Sequence, residues 1–142
     1  MYRDPMRFLC RLVVVSVAAV GFASNALARC DDPPGPGVDW QGCKKQWAQL
    51  SGKDLNHANL EGANLDHANL ESADLSHANL KGASLLGVNL QGVNFEKANL
   101  ASAFMTKSRI AGASLKDVLL GDAYWVNGQQ CQPESVGECR MR

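Results

Sequence analysis

The stretch Asp54-Leu55-Asn56-His57-Ala58-Asn59-Leu60-Glu61-Gly62-Ala63-Asn64-Leu65 decides the fold, because it repeats every five residues as Ala-(Asn/Asp)-Leu-x-x. Every fifth residue from Leu50 to Trp125 gives sixteen positions, and all sixteen are large and apolar. Most are Leu; Phe95, Met105, Ile110 and Trp125 are the variants. Two residues earlier in each unit, fourteen of the sixteen are Ala or Val, with Lys53 and Ser108 as the exceptions. A period of five excludes the two regular alternatives. In an α-helix five residues turn the direction by about 500°, so successive leucines would point all round the axis. In one long strand a shift of five sends each leucine to the opposite face. The pattern suits a short extended side followed by a corner, with the small residue and the Leu sharing the inward face. The chain then coils as a polygonal solenoid filled by Leu and Ala.

These units resemble the pentapeptide-repeat family, whose consensus is Ala-(Asp/Asn)-Leu-x-x. The likeness runs over residues 38–127, eighteen units, and is sharpest between Ala58 and Leu100. It implies an all-β fold, a right-handed quadrilateral β-helix with short irregular caps. Its four sides would take twenty residues per coil; the period alone does not separate three sides from four. Eighteen units make four and a half such coils, a rod about 20 Å long at the ~4.8 Å spacing of neighbouring strands. At the start the pattern falters, since Lys45 stands where a leucine belongs.

Outward from the repeat lie the ends. Residues 1–28 begin with Arg3, Arg7 and Arg11, continue with an apolar run from Leu12 to Ala23, and finish on Ala26-Leu27-Ala28. This is the pattern of a secretory signal peptide cut after Ala28. An apolar run of about twelve residues is short of the ~20 of a spanning helix, so no membrane insertion is expected after cleavage. The chain is expected to be periplasmic or secreted. Removing the leader removes Cys10 and leaves Cys30, Cys43, Cys131 and Cys139, which export makes a disulfide framework. Three connectivities are possible. A rod puts the pairs at opposite ends, which favours Cys30–Cys43 and Cys131–Cys139. Residues 29–37, rich in Pro and Gly, read as an N-terminal cap loop, and residues 128–142 as a C-terminal cap. That tail resembles the disulfide caps of exported family members.

The chain of 142 residues has 14 basic and 14 acidic side chains. That balance argues against a protein that works by neutralising phosphates. The family's best-known activity is mimicry of DNA to inhibit a type II topoisomerase. With nine acidic and eight basic residues in 38–127, the repeat is too balanced to imitate a phosphate rod. An exported protein would not meet the chromosome either. No Ser/His/Asp or Cys/His arrangement, phosphate-binding glycine loop or carboxylate pair suggests an enzyme, and a filled rod is expected to leave no pocket. No cofactor is expected.

Three features remain. His57, His67 and His77 all end their units, a corner position that takes almost any residue. With twenty residues per coil, His57 and His77 stack, near Asp54 and Asp74; they are weak candidates for a surface metal site. Asp39, Asn59, Asn79 and Asn99 form an outward column, read as an amide ladder. In the late units Phe104, Arg109, Leu119 and Tyr124 stand where outward Asn or Asp is due, and Leu86 sits on an adjoining turn. Either the cap folds over these residues, or they form an interface for a partner, another exported protein or a second copy docked end to end. The expected function is a non-enzymatic interaction module, with an envelope-associated or metal-binding role as the alternative.

Overall fold

The structure, a computed structural model, describes residues 29–142; the expected leader, residues 1–28, lies outside them. Among the described residues there is no helix, and hence none long and apolar enough to cross a membrane. The backbone runs in pentapeptide steps, each a single bridged residue followed by a two-residue turn. Fourteen parallel bridges join each outward residue to the one twenty positions later, from Asp39–Asn59 to Phe104–Tyr124. Four successive bridges complete one coil, so the coil has four sides. We number them by their outward columns. Side 1 carries Asp39, Asn59, Asn79, Asn99 and Leu119; side 2 carries Lys44, Asn64, Ser84, Phe104 and Tyr124. Side 3 carries Gln49, Asn69, Asn89 and Arg109; side 4 carries Asp54, Asp74, Asn94 and Ser114.

One unit shows why five residues suffice. Asn59 N–H donates back to Val38 O (2.8 Å), and Leu60 N–H donates forward to Asn79 O (2.7 Å). The corner closes when Ala63 N–H donates to Leu60 O (3.0 Å), while Gly62 N–H reaches the next coil at Lys81 O (2.9 Å). Backbone polarity is thereby satisfied between coils rather than within a strand. Leu and Ala point inward: Leu55 to Leu100 and Ala58 to Ala103 are buried at every coil.

The corner is more demanding than the sequence suggested. Its last residue has a positive φ at every unit from Gly37 to Asp122, including ten non-glycine residues such as His57 (56°) and Lys97 (58°). A left-handed non-glycine residue costs about 1–2 kcal/mol. The freedom expected at this position is therefore freedom of side chain, not of backbone.

Both ends are closed over sides 1 and 2. At the N-terminal end Cys30 is bonded to Cys43 (Cα–Cα 5.4 Å), and Arg29 N–H pairs with Asp39 O. Lys45, out of place as a core residue, instead lays its Nζ 4.0 Å from the Trp40 ring centroid and donates to Cys30 O (2.5 Å). Trp40 is fully buried and fills the first coil. At the other end the chain reverses, with antiparallel bridges Leu119–Val136, Tyr124–Gln130 and Cys131–Met141, and Cys131 is bonded to Cys139. A Cβ at Gly121 would run into the Pro133 carbonyl, so this glycine lets the returning segment lie flat on the coil. Arg142 completes the closure with an ion pair to Asp122 (2.5 Å).

Candidate interaction face

The outward Asn and Asp residues do more than form a ladder. In ten units from Asp39 to Asn99 the side-chain oxygen accepts the backbone N–H two residues on, as in Asn59 with Glu61 N–H (3.3 Å) and Asp74 with Ser76 N–H (2.9 Å). This Asx turn fixes the corner locally. Ladder bonds are present but fewer: Asn59 Nδ2 donates to Asp39 Oδ1 (2.9 Å), and Asn99 Nδ2 to Asn79 Oδ1 (3.4 Å). Where Ser84 cannot reach, Asp66 Oδ1 accepts from both the Ser84 hydroxyl and Leu86 N–H.

The late units abandon this arrangement. Phe104, Arg109, Leu119 and Tyr124 have no side-chain oxygen able to cap the next corner. Phe104 and Tyr124 stack on side 2 with ring centroids 5.2 Å apart and planes 9° from parallel. The C-terminal cap pairs with the backbone of Leu119 and Tyr124 but does not cover the side chains. Phe104 is 43% exposed, Leu119 47% and Tyr124 37%. The structure thus brings together two of the four expected interface residues; Leu119 sits round the corner on side 1 and exposed Arg109 on side 3.

The sequence reading placed Leu86 on an adjoining turn but missed the rest of the corner between sides 2 and 3. There Trp47, 67% exposed, stacks on His67 at 4.4 Å between centroids, and Leu86 is exposed two layers on from Gln46. Gly87 interrupts this column, and His67 leans over it: a Cβ there would lie 2.9 Å from His67 Nδ1. The result is a notch of about 390 Å³ lined by His67, Leu86, Gly87, Thr106 and Lys107. Its signal was a glycine between His67 and Lys107 at a twenty-residue spacing. The expectation that a filled rod leaves no pocket fails at this corner.

His57 and His77 do stack, at 4.7 Å and 10°, on the corner diagonally opposite. Parallel imidazoles direct their in-plane lone pairs side by side rather than at one point, a poor arrangement for a shared metal. Of the nearby carboxylates, Asp54 is occupied by Asn56 N–H and Nδ2, and Asp74 by Ser76 N–H and Asn94 Nδ2. Among the described residues no group of three or more His, Cys, Asp or Glu is placed to hold an ion.

The sequence profile described as pentapeptide repeats matches residues 46–82 and 78–117 in eight copies. The chain belongs to the pentapeptide repeat family. Among solved pentapeptide repeat proteins, it is similar to Rfr23 from the cyanobacterium Cyanothece 51142, with 36% identity and a TM-score of 0.58 over 58% of this chain and 56% of that one. HetL from Nostoc sp. strain PCC 7120, involved in heterocyst differentiation regulation, has 36% identity over 62% of this chain and 43% of its own, with a TM-score of 0.37. A pentapeptide repeat protein of the Arabidopsis thaliana thylakoid lumen has 23% identity over 79% of this chain and 86% of its own, with a TM-score of 0.37. The chain thus spans little more than half the length of Rfr23. No curated protein matches it. Pentapeptide repeat proteins are generally structural or interaction proteins rather than enzymes, and this chain has their non-enzymatic repeat fold.

Proposed function

We propose that this chain is an exported, disulfide-capped interaction module, a right-handed quadrilateral β-helix that holds another exported protein against side 2. The observation that carries the reading is the Phe104–Tyr124 stack. Two consecutive layers put exposed aromatic rings at a position where ten earlier units have an Asn or Asp that caps the corner. The substitution forfeits local hydrogen bonds, each worth about 1 kcal/mol, and exposes apolar surface. Exposed aromatic residues are among the commonest binding anchors. Export is supported by the leader-like residues 1–28 and by two disulfides, which persist in oxidising compartments. The balanced charge speaks against DNA mimicry as before.

The test is cross-linking in intact cells, followed by mass spectrometry of what is attached, with Phe104→Asn/Tyr124→Asn as the comparison. Asn restores the residue that the repeat uses, so the variant should fold at least as stably and lose the partner. Undiminished recovery at undiminished stability would dispose of the side-2 interface. Sedimentation of the same two proteins tests whether the partner is a second copy docked end to end.

A further inference from the structure

The six large apolar side chains exposed among the described residues are not scattered. Phe104 and Tyr124 are on side 2, Trp47 and Leu86 on the corner between sides 2 and 3, and Leu119 and Val136 on side 1. None is on side 3, on side 4 or on the corners that bound side 4. Charge is segregated on the same axis. Of the nine acidic residues in 38–127, only Asp66 lies on side 2, on side 3 or on the corner between them. Its carboxylate is engaged by the Ser84 hydroxyl and Leu86 N–H. The same region carries Lys44, Lys107 and Arg109, all exposed. Apart from Lys45, which is tied to Trp40 and Cys30 O under the N-terminal cap, the rest of the repeat surface holds the other eight acidic residues against four basic ones. A chain with no net charge therefore has a basic, aromatic flank and an acidic, polar back.

We infer that the flank from side 2 across the corner to side 3 is a docking surface for an acidic segment of a partner protein. That segment bears apolar side chains, one of which enters the notch over Gly87. The inference rests on the interaction reading above and specifies the partner's chemistry. In the notch Leu86 supplies an apolar wall, His67 a ring edge already braced by Trp47, and Lys107 a cation at the rim. An apolar side chain next to a carboxylate satisfies all three at once. A basic partner would meet Lys44, Lys107 and Arg109 as like charges. A purely polar acidic chain would leave the aromatic stack and Leu86 in water.

The probe is a short synthetic peptide in which Asp alternates with Leu and Phe, titrated into the ¹⁵N-labelled protein purified with both disulfides intact. Two control peptides replace Asp by Lys, or Leu and Phe by Gly. The acidic apolar peptide should shift the amides of Trp47, His67, Leu86 and Lys107 and leave Asp54, Asp74 and Asn94 of side 4 unmoved. Both controls should fail. Lys107→Glu and Leu86→Asp should each weaken binding about tenfold, equivalent to ~1.4 kcal/mol. Both changes fit the fold, since Asp117 and Asp66 occupy the corresponding corner positions. Equal binding of the Lys peptide, shifts on side 4, unchanged affinity in Lys107→Glu, or no binding of any peptide overturns the inference. So does binding to phosphatidylglycerol vesicles or polyuronate in place of the peptide. A cross-linked partner that is lost in Phe104→Asn/Tyr124→Asn but contacts the flank through a basic segment overturns this inference alone and leaves the interaction module standing.

Discussion

The coils from Asp39 to Asn99 and the coil that follows use one backbone for two purposes. In the first region ten outward Asn or Asp side chains cap the corner ahead of them, and the Leu and Ala beneath are fully buried. In the second region the outward residues are Phe104, Arg109, Ser114, Leu119 and Tyr124, and beneath them Ile110, Ala113 and Leu115 are only partly buried. The bridges run through both regions at the same twenty-residue step. Inter-coil hydrogen bonds and inward packing therefore suffice to define the path, while the Asx cap adds local stability. The side chains that provide it can therefore be exchanged without loss of the path, and on side 2 the exchange runs through two consecutive layers.

The comparison is broken most easily in the core. Leu75→Ala should cost about 3–5 kcal/mol, the upper range for a sealed site that cannot collapse. Ile110→Ala, at a site only partly buried, should cost about half as much. Denaturant melts that gave the two equal losses would show the late coil packed as tightly as the early ones. Next come the caps. By chain entropy alone, loss of Cys131–Cys139, which spans 8 positions, should cost about 2.5 kcal/mol. Loss of Cys30–Cys43, which spans 13, should cost about 3 kcal/mol. A thermal melt of each Cys→Ala pair measures this. A markedly larger loss at the C-terminal end would mean that the returning segment, laid across Gly121, also holds the weaker coil in place.

Much of this architecture was legible in the chain. The period of five set the inward Leu and Ala and excluded helix and long strand, and the ends of the rod made the cysteine pairs local. Three things were less legible, each for a physical reason. The Asx cap was hidden because an Asn on a surface column looks the same whether it bonds sideways or forward; only the corner N–H distances separate the two. The positive φ at every corner was masked because ten side chains other than Gly accept the strain. The notch at Gly87 depends on two neighbours twenty residues away in either direction, His67 and Lys107, and on how His67 leans. Of the expected interface, Phe104 and Tyr124 were legible as a stack. Leu119 and Arg109 were grouped with them by composition, although the corners carry them to other sides.

A finer test of the contrast exchanges the outward residues themselves. Asn69→Ala removes the bond to Glu71 N–H and the ladder bond from Asn89, and should cost about 1 kcal/mol. Phe104→Asn, alone, should change stability by no more than about 0.5 kcal/mol either way, because a cap for Thr106 N–H worth about 1 kcal/mol becomes available. It also breaks the stack on Tyr124, worth about 0.5–1.5 kcal/mol, which sets the limit on any gain. A loss well beyond that limit would mean that the ring supports the last coil, and the case for side 2 as a binding face would weaken accordingly.

The smallest expected effect lies at the corners. Lys97 is exposed, left-handed and three layers into the regular region. Lys97→Gly removes the strain of a Cβ at positive φ, about 1–2 kcal/mol, but adds backbone freedom to the unfolded chain, about 0.5–1 kcal/mol. The net should be a gain of about 0.5–1 kcal/mol, visible as a small rise in Tm. The same exchange at Lys107 should give the same rise, because the backbone there (φ 63°) is the same. What separates the two sites is recognition: only the change at Lys107, on the rim of the notch, should weaken the acidic apolar peptide. Equal stability with unequal binding is the pattern expected if the early and late coils share a backbone and differ in what they present.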